Sequence, residues 1–293
     1  MTKGICLLCF GDSSFGKLTY NLVASIKQYG DINVTIFTDN DSLIDVDKSI
    51  FDNILEIPKD TFYLKNRGHP NRFKMCLYDI TPYDYTMYLD VDSIYTKNVS
   101  IEYLFDLLNS DLDIVAQNEK IVNLDETTKI FHGYDVSVFE PKFKFTKSLL
   151  HQIHGQFLLF KKNERTRMFF DVSKEIYDKM DSNEIVNYCQ WSWFGRPIEE
   201  LTMTIATGLV DINIYNNFAP VSVQSQNLEY DEIINNKWFI SICGSSTKEL
   251  AEKIGGYCQD EMCFKKYVDH YNRRVIDIKN FKCYNYVEKV YKL

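Results

Sequence analysis

Two aspartates, Asp90 and Asp92, have the residue type and spacing of a metal site. The sequence contains four Asp-x-Asp triplets, but this one stands out because a run of β-prone residues at positions 85–89 leads directly into it. On an extended backbone, residues i and i+2 point to the same side, so we expect both carboxylates to share one face. Two such carboxylates repel each other and are costly to bury, and a divalent cation removes that cost.

The chemistry of these two side chains indicates which cation they would hold. Mg²⁺ and Mn²⁺ prefer oxygen ligands, and Mg²⁺ usually takes only one or two protein carboxylates and completes its coordination with substrate phosphates. The sequence therefore predicts a Mn²⁺ or Mg²⁺ site at Asp90 and Asp92. The alternative is a pair of solvated loop acids.

The elements that must position such a site are short apolar strands. Residues 4–10, 33–38 and 54–57 are predicted strands, and a helical pattern follows the first of them. Short apolar strands joined by helices or loops indicate a parallel sheet with helices on both faces. In such sheets, ligands bind beyond the carboxyl ends of the strands. Three polar residues lie at those ends: Ser13, Asp39 and Asn40.

The rest of the chain is less regular. Helices are predicted at residues 73–78, 100–108, 164–180 and 199–207, and strands at 85–89, 113–117, 156–161 and 238–243. No repeat, low-complexity tract or Pro/Gly-rich linker marks a domain boundary. The last segment, 273–293, holds six Lys or Arg against two acids, with interleaved aromatic residues. We interpret it as a packed final element, and the alternative is a surface for an anionic acceptor or a membrane.

Composition narrows the class of protein. The 293 residues are 45% hydrophobic and 25% charged, as in an ordinary soluble globular protein. The net charge of −8 disfavours a duplex-DNA binder that relies on global phosphate attraction. No signal peptide or membrane span is predicted, so we expect a cytoplasmic protein of a bacterial or virus-infected cell, with its eight cysteines reduced.

Residues 72–99, RFKMCLYDITPYDYTMYLDVDSIYTKNV, resemble the donor-site core of GT-A fold nucleotide-sugar glycosyltransferases. The resemblance is greatest to the glycogenin- and galactosyltransferase-like family 8 and its bacterial and phage relatives. The shared features are a basic residue opening a helix, a Pro-containing turn, a Tyr-Leu-Asp-x-Asp strand and an apolar exit. The resemblance implies an α/β, GT-A (Rossmann-like) fold with a mixed, mainly parallel sheet. One domain would span residues 1–270, with a donor-binding half at about 1–120 and an acceptor or sugar half at about 121–270, before a basic, aromatic extension at 271–293.

The resemblance also implies roles for donor-site residues. Asp92 would be the main metal ligand, and Asp90 would touch both metal and ribose. Arg72 or Lys74 would contact the diphosphate or the sugar, and the alternative for both is a solvated helix face. The other residues expected to contact the nucleotide are Phe10, Gly11, Asp12, Ser13, Asp39, Val91 and Lys248.

The resemblance extends to the sugar pocket and the reaction centre. Residues 154–160 match the sugar-pocket strand, although the usual Asn is missing and His154 or Gln156 takes its place. Glu199 and Glu200, at a predicted helix start, would lie beside the anomeric carbon as catalytic candidates, and the alternative is helix capping. Ser241 stands where the family has a third metal ligand, a His. The candidates to replace that ligand are His132, His154 and His270.

The predicted function is the transfer of a sugar from a nucleoside diphosphate sugar, which the resemblance favours as a UDP-sugar, with retention at the anomeric carbon. The acceptor is left open among a glycan, a protein, a small molecule and a modified base in DNA. Two rival functions remain. One is nucleotidyl transfer, for which the loop at 11–17 is a poor phosphate-binding sequence, and the other is sugar-nucleotide binding without catalysis, suggested by the missing His.

Overall fold

The computed structural model describes residues 1–11, 13–27, 29–64, 67–95, 99–125, 130–131, 134–135, 143–180, 199–215, 221–222 and 238–241. The strands are β1 (Lys3–Cys9), β2 (Asn33–Thr38), β3 (Asn53–Glu56), β4 (Tyr63–Leu64), β5 (Arg67–Gly68), β6 (Tyr85–Leu89), β7 (Ser93–Tyr95), β8 (Ile114–Asn123), β9 (Ile130–Phe131), β10 (Tyr134–Asp135), β11 (Leu149–Lys161), β12 (Val221–Ser222) and β13 (Phe239–Ser241). The α-helices are α1 (Ser13–Lys27), α2 (Lys59–Phe62), α3 (Pro70–Met75), α4 (Leu77–Ile80), α5 (Ile101–Asp106), α6 (Glu164–Lys179) and α7 (Glu199–Leu209).

The chain divides into two compact units. Unit 1 comprises Met1–Thr2, Pro58–Thr86 and Asp106–Ala219, and unit 2 comprises Lys3–Ile57, Met87–Phe105 and Pro220–Leu293. Each unit combines strands and helices, as the α/β prediction requires.

Unit 2 is built on parallel strands. β1 pairs with β2 from Gly4↔Asn33 to Cys9↔Thr38, and β2 pairs with β3, both in parallel. The side chains of β1 are buried from Gly4 to Cys9, which explains its continuous apolar sequence. Strand order continues from β3 through β2 and β1 to β6. A second, three-stranded sheet has the order β12-β13-β7.

Unit 1 is built on a long antiparallel pair. β8 and β11 are joined in antiparallel register, with irregularities between His151 and Ile153 and between His154 and Leu158. The helix α7 packs against β11 and against α6, and α3 packs against both helices. The fully buried Asp113, just before β8, accepts hydrogen bonds from the Asn163 side chain and the Asn213 backbone and pairs with Arg165.

The mixed, mainly parallel α/β fold predicted from the sequence is confirmed. The predicted strands at 33–38 and 85–89 match β2 and β6 residue for residue. The strands predicted at 113–117 and 156–161 are only parts of the longer β8 and β11, and the helix predicted at 73–78 is interrupted at Cys76 between α3 and α4. Of the cysteines that the structure describes, Cys6, Cys9 and Cys76 are buried and are not in disulfides.

No helix among the described residues combines the length and the apolar character needed to cross a bilayer. The extension at 271–293 lies outside the described residues, as does most of the chain after residue 215.

Candidate functional site

In unit 2, an exposed carboxylate ties together the carboxyl ends of β1 and β2. Asp39 Oδ2 accepts a hydrogen bond from the Gly11 backbone N–H at 2.8 Å, and its Oδ1 accepts one from the Ser42 hydroxyl at 3.0 Å. Ser42 is buried, and its hydroxyl oxygen also lies 3.2 Å from the Cys9 carbonyl oxygen, a second acceptor for the same proton. The network holds the loops after both strands in one arrangement, at the sheet edge where parallel sheets bind ligands.

The backbone angles and the close packing around this network restrict which residue types can stand there. Gly11 has φ of +102°, and Asn40, directly after Asp39, has φ of 70° with ψ of −32°, which lies outside the left-handed helical region. At Gly16, a Cβ atom would lie 2.0 Å from the Ser42 carbonyl oxygen, so α1 can approach this loop only with glycine there. The rings of Phe10 and Phe15 stack with centroids 6.2 Å apart.

The Asp90 and Asp92 pair follows β6 in unit 2, and both residues are half-buried. The extended geometry that we expected for the triplet is wrong, because β6 ends at Leu89 and Val91 and Asp92 lie in the turn that leads to β7. Strand alternation therefore does not decide where Asp92 points. Asp90 Oδ1 accepts a hydrogen bond of 2.8 Å from the hydroxyl of Tyr88, which is 2% exposed.

The strand that ends in Ser241 meets the same turn. β13 runs antiparallel to β7, and Ser241 is the backbone partner of Ser93, the residue directly after Asp92. Ser241, the position at which the resemblance led us to expect a third metal ligand, therefore lies in the strand beside the aspartate pair. Residues 242–248, including Lys248, lie outside the described residues.

In unit 1, α3 carries the two predicted cations, and the solvated-face alternative is wrong for both, since Arg72 is 6% and Lys74 is 5% exposed. The guanidinium of Arg72 forms a bidentate pair with Asp178 on α6, at 2.7 and 3.1 Å, and also donates to the Asp60 carbonyl oxygen. The hydrogen bond with Asp178 is the main cause that raises the pKa of Arg72. Arg72 thus links α3 to α6.

Lys74 forms the most buried ion pair described in unit 1. Its Nζ lies 2.6 Å from Glu199 Oε1, and the two side chains are 6% and 7% exposed. Glu199 stands in the first turn of α7, where a carboxylate also interacts favourably with the helix dipole. A Cβ atom at Gly155 would lie 2.6 Å from Glu199 Cγ, so the glycine in β11 makes room for this carboxylate.

The next carboxylate along α7 faces the predicted sugar-pocket strand. Glu200 Oε1 lies 3.9 Å from His154 Nδ1. The ladder between β11 and β8 is irregular just after His154, which pairs with Gln117, while Leu158 pairs with Ala116. Gly155 and Gln156 lie within this irregular stretch, and Gln156 is 7% exposed.

The donor set suits a hard cation. Asp90 and Asp92 offer carboxylate oxygens of the type that Mg²⁺ and Mn²⁺ prefer, and Asp90 accepts a hydrogen bond from Tyr88, as carboxylates in metal sites commonly do. Within the described residues, no group of three or more His, Cys, Asp or Glu side chains has a metal-binding arrangement. A cation at these two aspartates would therefore take other ligands from elsewhere, as Mg²⁺ does from phosphates. Asp12, His132 and His270 lie outside the described residues.

Three residues of these networks were not found from the sequence. Tyr88 was within reach, because the extended geometry expected from the sequence places residues i and i+2 on one face, and Tyr88 precedes Asp90 by two. Asp178 and Ser42 had no local signal. The sequence also did not indicate Gln117, the partner of His154 in the ladder between β8 and β11. Gln117 is 5% exposed, and its Oε1 has no hydrogen-bond partner among the described residues.

No family model matches the sequence, and no curated protein is significantly similar to it. The structure, however, is similar to those of glycosyltransferases. The galactosyltransferase LgtC in complex with donor and acceptor sugar analogues has a TM-score of 0.53 and 13% identity, covering 94% of this chain and 97% of that chain. An active-site mutant of LgtC gives 0.52 and 12%, with the same coverage. The bifunctional glycosyltransferase WbbM gives 0.50 and 9%, covering 94% of this chain and 51% of that one. The chain therefore shares the fold of these glycosyltransferases.

Proposed function

We propose that the protein is a metal-dependent glycosyltransferase that moves a sugar from a nucleoside diphosphate sugar, with UDP as the favoured nucleotide, to an acceptor. The observation that carries the proposal is the half-buried Asp90 and Asp92 pair, directly after a buried strand of a fold shared with glycosyltransferases. The hydrogen bond between the Gly11 N–H and Asp39 supports the proposal, since it fixes the loops after β1 and β2 at the edge where parallel sheets bind ligands.

Asp90 and Asp92 would hold Mn²⁺ or Mg²⁺, which when bound supplies Lewis-acid stabilisation of the diphosphate leaving group. The residues of the chain bind and orient the donor. Asp39 and the backbone of residues 10–13 would meet the nucleoside, and Lys248 would contact the phosphates, as the resemblance to family 8 implies.

Glu200 is the better candidate to act at the anomeric carbon. The charge of Glu199 is already compensated by Lys74 at 2.6 Å, whereas Glu200 faces the half-buried His154 at 3.9 Å. A carboxylate beside the anomeric carbon stabilises positive charge that develops as the bond to the leaving group breaks. We propose retention of configuration from the family resemblance, with Gln156 and His154 contacting the sugar.

The rival, nucleotidyl transfer, has weaker support. Such enzymes need a glycine-rich phosphate loop with a basic residue after the first strand. Here α1 begins at Ser13, only two residues beyond Gly11, and Lys17 already lies within that helix. The chain between β1 and α1 is therefore too short for a loop of that kind.

A thermal-shift panel of UDP, UDP-sugars and nucleoside triphosphates, each with Mn²⁺, Mg²⁺ or chelator, tests the proposal. A ligand at 100 times its dissociation constant stabilises the native state by about 2.7 kcal/mol, which at roughly 2–4 °C per kcal/mol is a shift of several degrees. We expect a shift with UDP-sugars and Mn²⁺ that chelator abolishes. The matched control is Asp111→Asn, in another Asp-x-Asp triplet, which should keep the shift. Shifts with triphosphates alone would favour nucleotidyl transfer, and no shift with any ligand would contradict the proposed donor site.

A further inference from the structure

Two threonines of α7 bond directly to the backbone of β11. The N–H of His151 donates to Thr207 Oγ1 at 2.9 Å, and the N–H of Ile153 donates to Thr204 Oγ1 at 3.3 Å. The threonines are three residues apart and share one face of the helix, where they are 1% and 0% exposed. The Thr207 hydroxyl also donates to the Thr204 carbonyl oxygen at 2.7 Å, which fixes its orientation. N–H groups two residues apart point to the same edge of a strand, so both hydroxyls serve one edge of β11.

These two bonds set the position of α7 along β11. The later threonine bonds the earlier strand residue, so the helix runs antiparallel to the strand. Four residues back along α7 from Thr204 is Glu200, about 6 Å away along the helix axis. The same distance forward from Ile153 is about two strand residues, which predicts that Glu200 lies beside Gly155.

The observed contact agrees with this register. Glu200 Oε1 lies 3.9 Å from Nδ1 of His154, the strand residue directly before Gly155. We propose that Thr204 and Thr207 are positioning residues, which hold Glu200 in place at the predicted sugar-pocket strand. The inference rests on the proposed function of Glu200 and adds two buried residues that act through it.

A displacement of α7 would move the carboxylate away from this place. A slip of one residue along the strand shifts Glu200 by about 1.5 Å and turns it by about 100° around the helix axis. Apolar packing resists such a slip weakly because it has no direction, whereas hydrogen bonds to fixed N–H groups are directional. A group that stabilises developing charge depends on its exact placement, and an error of about 1 Å can lower a rate by about 100-fold.

The test is the double variant Thr204→Val with Thr207→Val, which keeps the branched shape of both side chains and removes both hydroxyls. UDP release from the UDP-sugars of the thermal-shift panel is measured in initial-rate assays with Mn²⁺. We expect kcat to fall by about 10–100-fold with little change in the donor KM, because the proposed nucleotide-binding residues do not lie on α7. The double variant Thr204→Ser with Thr207→Ser keeps both hydroxyls and should keep most of the kcat.

A double-mutant cycle tests whether the threonines act through Glu200. In a Glu200→Gln background, the two valine changes should lower kcat far less than in the wild type, because the carboxylate that they position is gone. An equal fall in both backgrounds would overturn the inference. The matched control is Ser173→Ala on α6, whose buried hydroxyl donates to a carbonyl oxygen of its own helix, and it should keep the wild-type kcat.

The outcomes separate this inference from the function on which it rests. Wild-type protein that neither shifts with the panel nor releases UDP would overturn both. An active wild type whose valine variant keeps its kcat would overturn the inference alone. Urea unfolding of each variant distinguishes a loss of folded protein from a loss of kcat. If the double variant does not fold, Thr204→Val alone removes the longer of the two bonds and should show the same split between kcat and KM, and an unchanged kcat there would refute the positioning role.

Discussion

The buried ion pair between Lys74 and Glu199 makes a strong prediction about stability. The change is Lys74→Met, which keeps the length of the aliphatic chain and removes the charge. Lys74 Nζ lies 2.6 Å from Glu199 Oε1, with 6% and 7% of the side chains exposed, so the variant leaves a carboxylate buried among packed helices. Removing one partner of such a pair costs about 3–5 kcal/mol, because the remaining charge stays desolvated.

At roughly 2–4 °C per kcal/mol, that loss corresponds to a melting temperature lower by roughly 6–20 °C. The double variant Lys74→Met with Glu199→Gln removes both charges and should recover much of the loss. Urea unfolding, followed by circular dichroism and analysed at constant slope, gives the free energies of unfolding for the double-mutant cycle.

The chain offers a matched control on its surface. Lys179 and Glu175 on α6 lie 2.5 Å apart, but their side chains are 59% and 63% exposed. The same change there, Lys179→Met, should cost about 0.5 kcal/mol or less, because solvent screens the pair. If Lys74→Met costs no more than Lys179→Met, or if the double variant is less stable than Lys74→Met alone, burial of the pair does not have the energetic role argued for it.

The remaining predictions concern the metal, the reaction, a buried carboxylate and pH. Asp92→Asn should abolish the Mn²⁺-dependent thermal shift with UDP while the fold survives, and near wild-type transfer with Mn²⁺ would contradict the metal site. Glu200→Gln should lower kcat more than it raises the donor KM in initial-rate assays of UDP release, and an unchanged kcat would reduce it to a capping residue. Asp113→Ala should cost about 1–3 kcal/mol in urea unfolding for each donor that loses its buried acceptor, the Asn163 side chain and the Asn213 N–H, because the Arg165 side chain is 44% exposed and can be solvated; the exposed Asp111→Ala should cost little. Burial, with a smaller effect of the nearby Lys147, lowers the pKa of His151. The unfolded chain therefore binds more protons than the folded one, so the free energy of unfolding falls as the pH drops below about 6.5. His151→Gln should flatten this dependence, measured as urea midpoints between about pH 7.5 and 5.5.

The sequence by itself determined the strands of the parallel sheet and hence the residues at their ends. β2 and β6 were predicted to the residue, because both are runs rich in β-branched, aromatic and apolar residues that end directly before an aspartate. That logic brought Asp39 and Asp90 forward as candidates without any tertiary information. It did not extend to Asp92, because the backbone leaves the extended conformation after Leu89 and the alternation of side chains ends with it.

Only the tertiary structure decided which partners the buried charges have. Arg72 meets Asp178 and Lys74 meets Glu199 across 106 and 125 residues of sequence, and no local periodicity records such pairs. They follow from the packing of α3 against α6 and α7, which turns a helix face that could have been solvated into a buried one. A buried cation is stable only with an anionic partner, because its desolvation is otherwise not offset. The packing of the helices determines which residue is that partner.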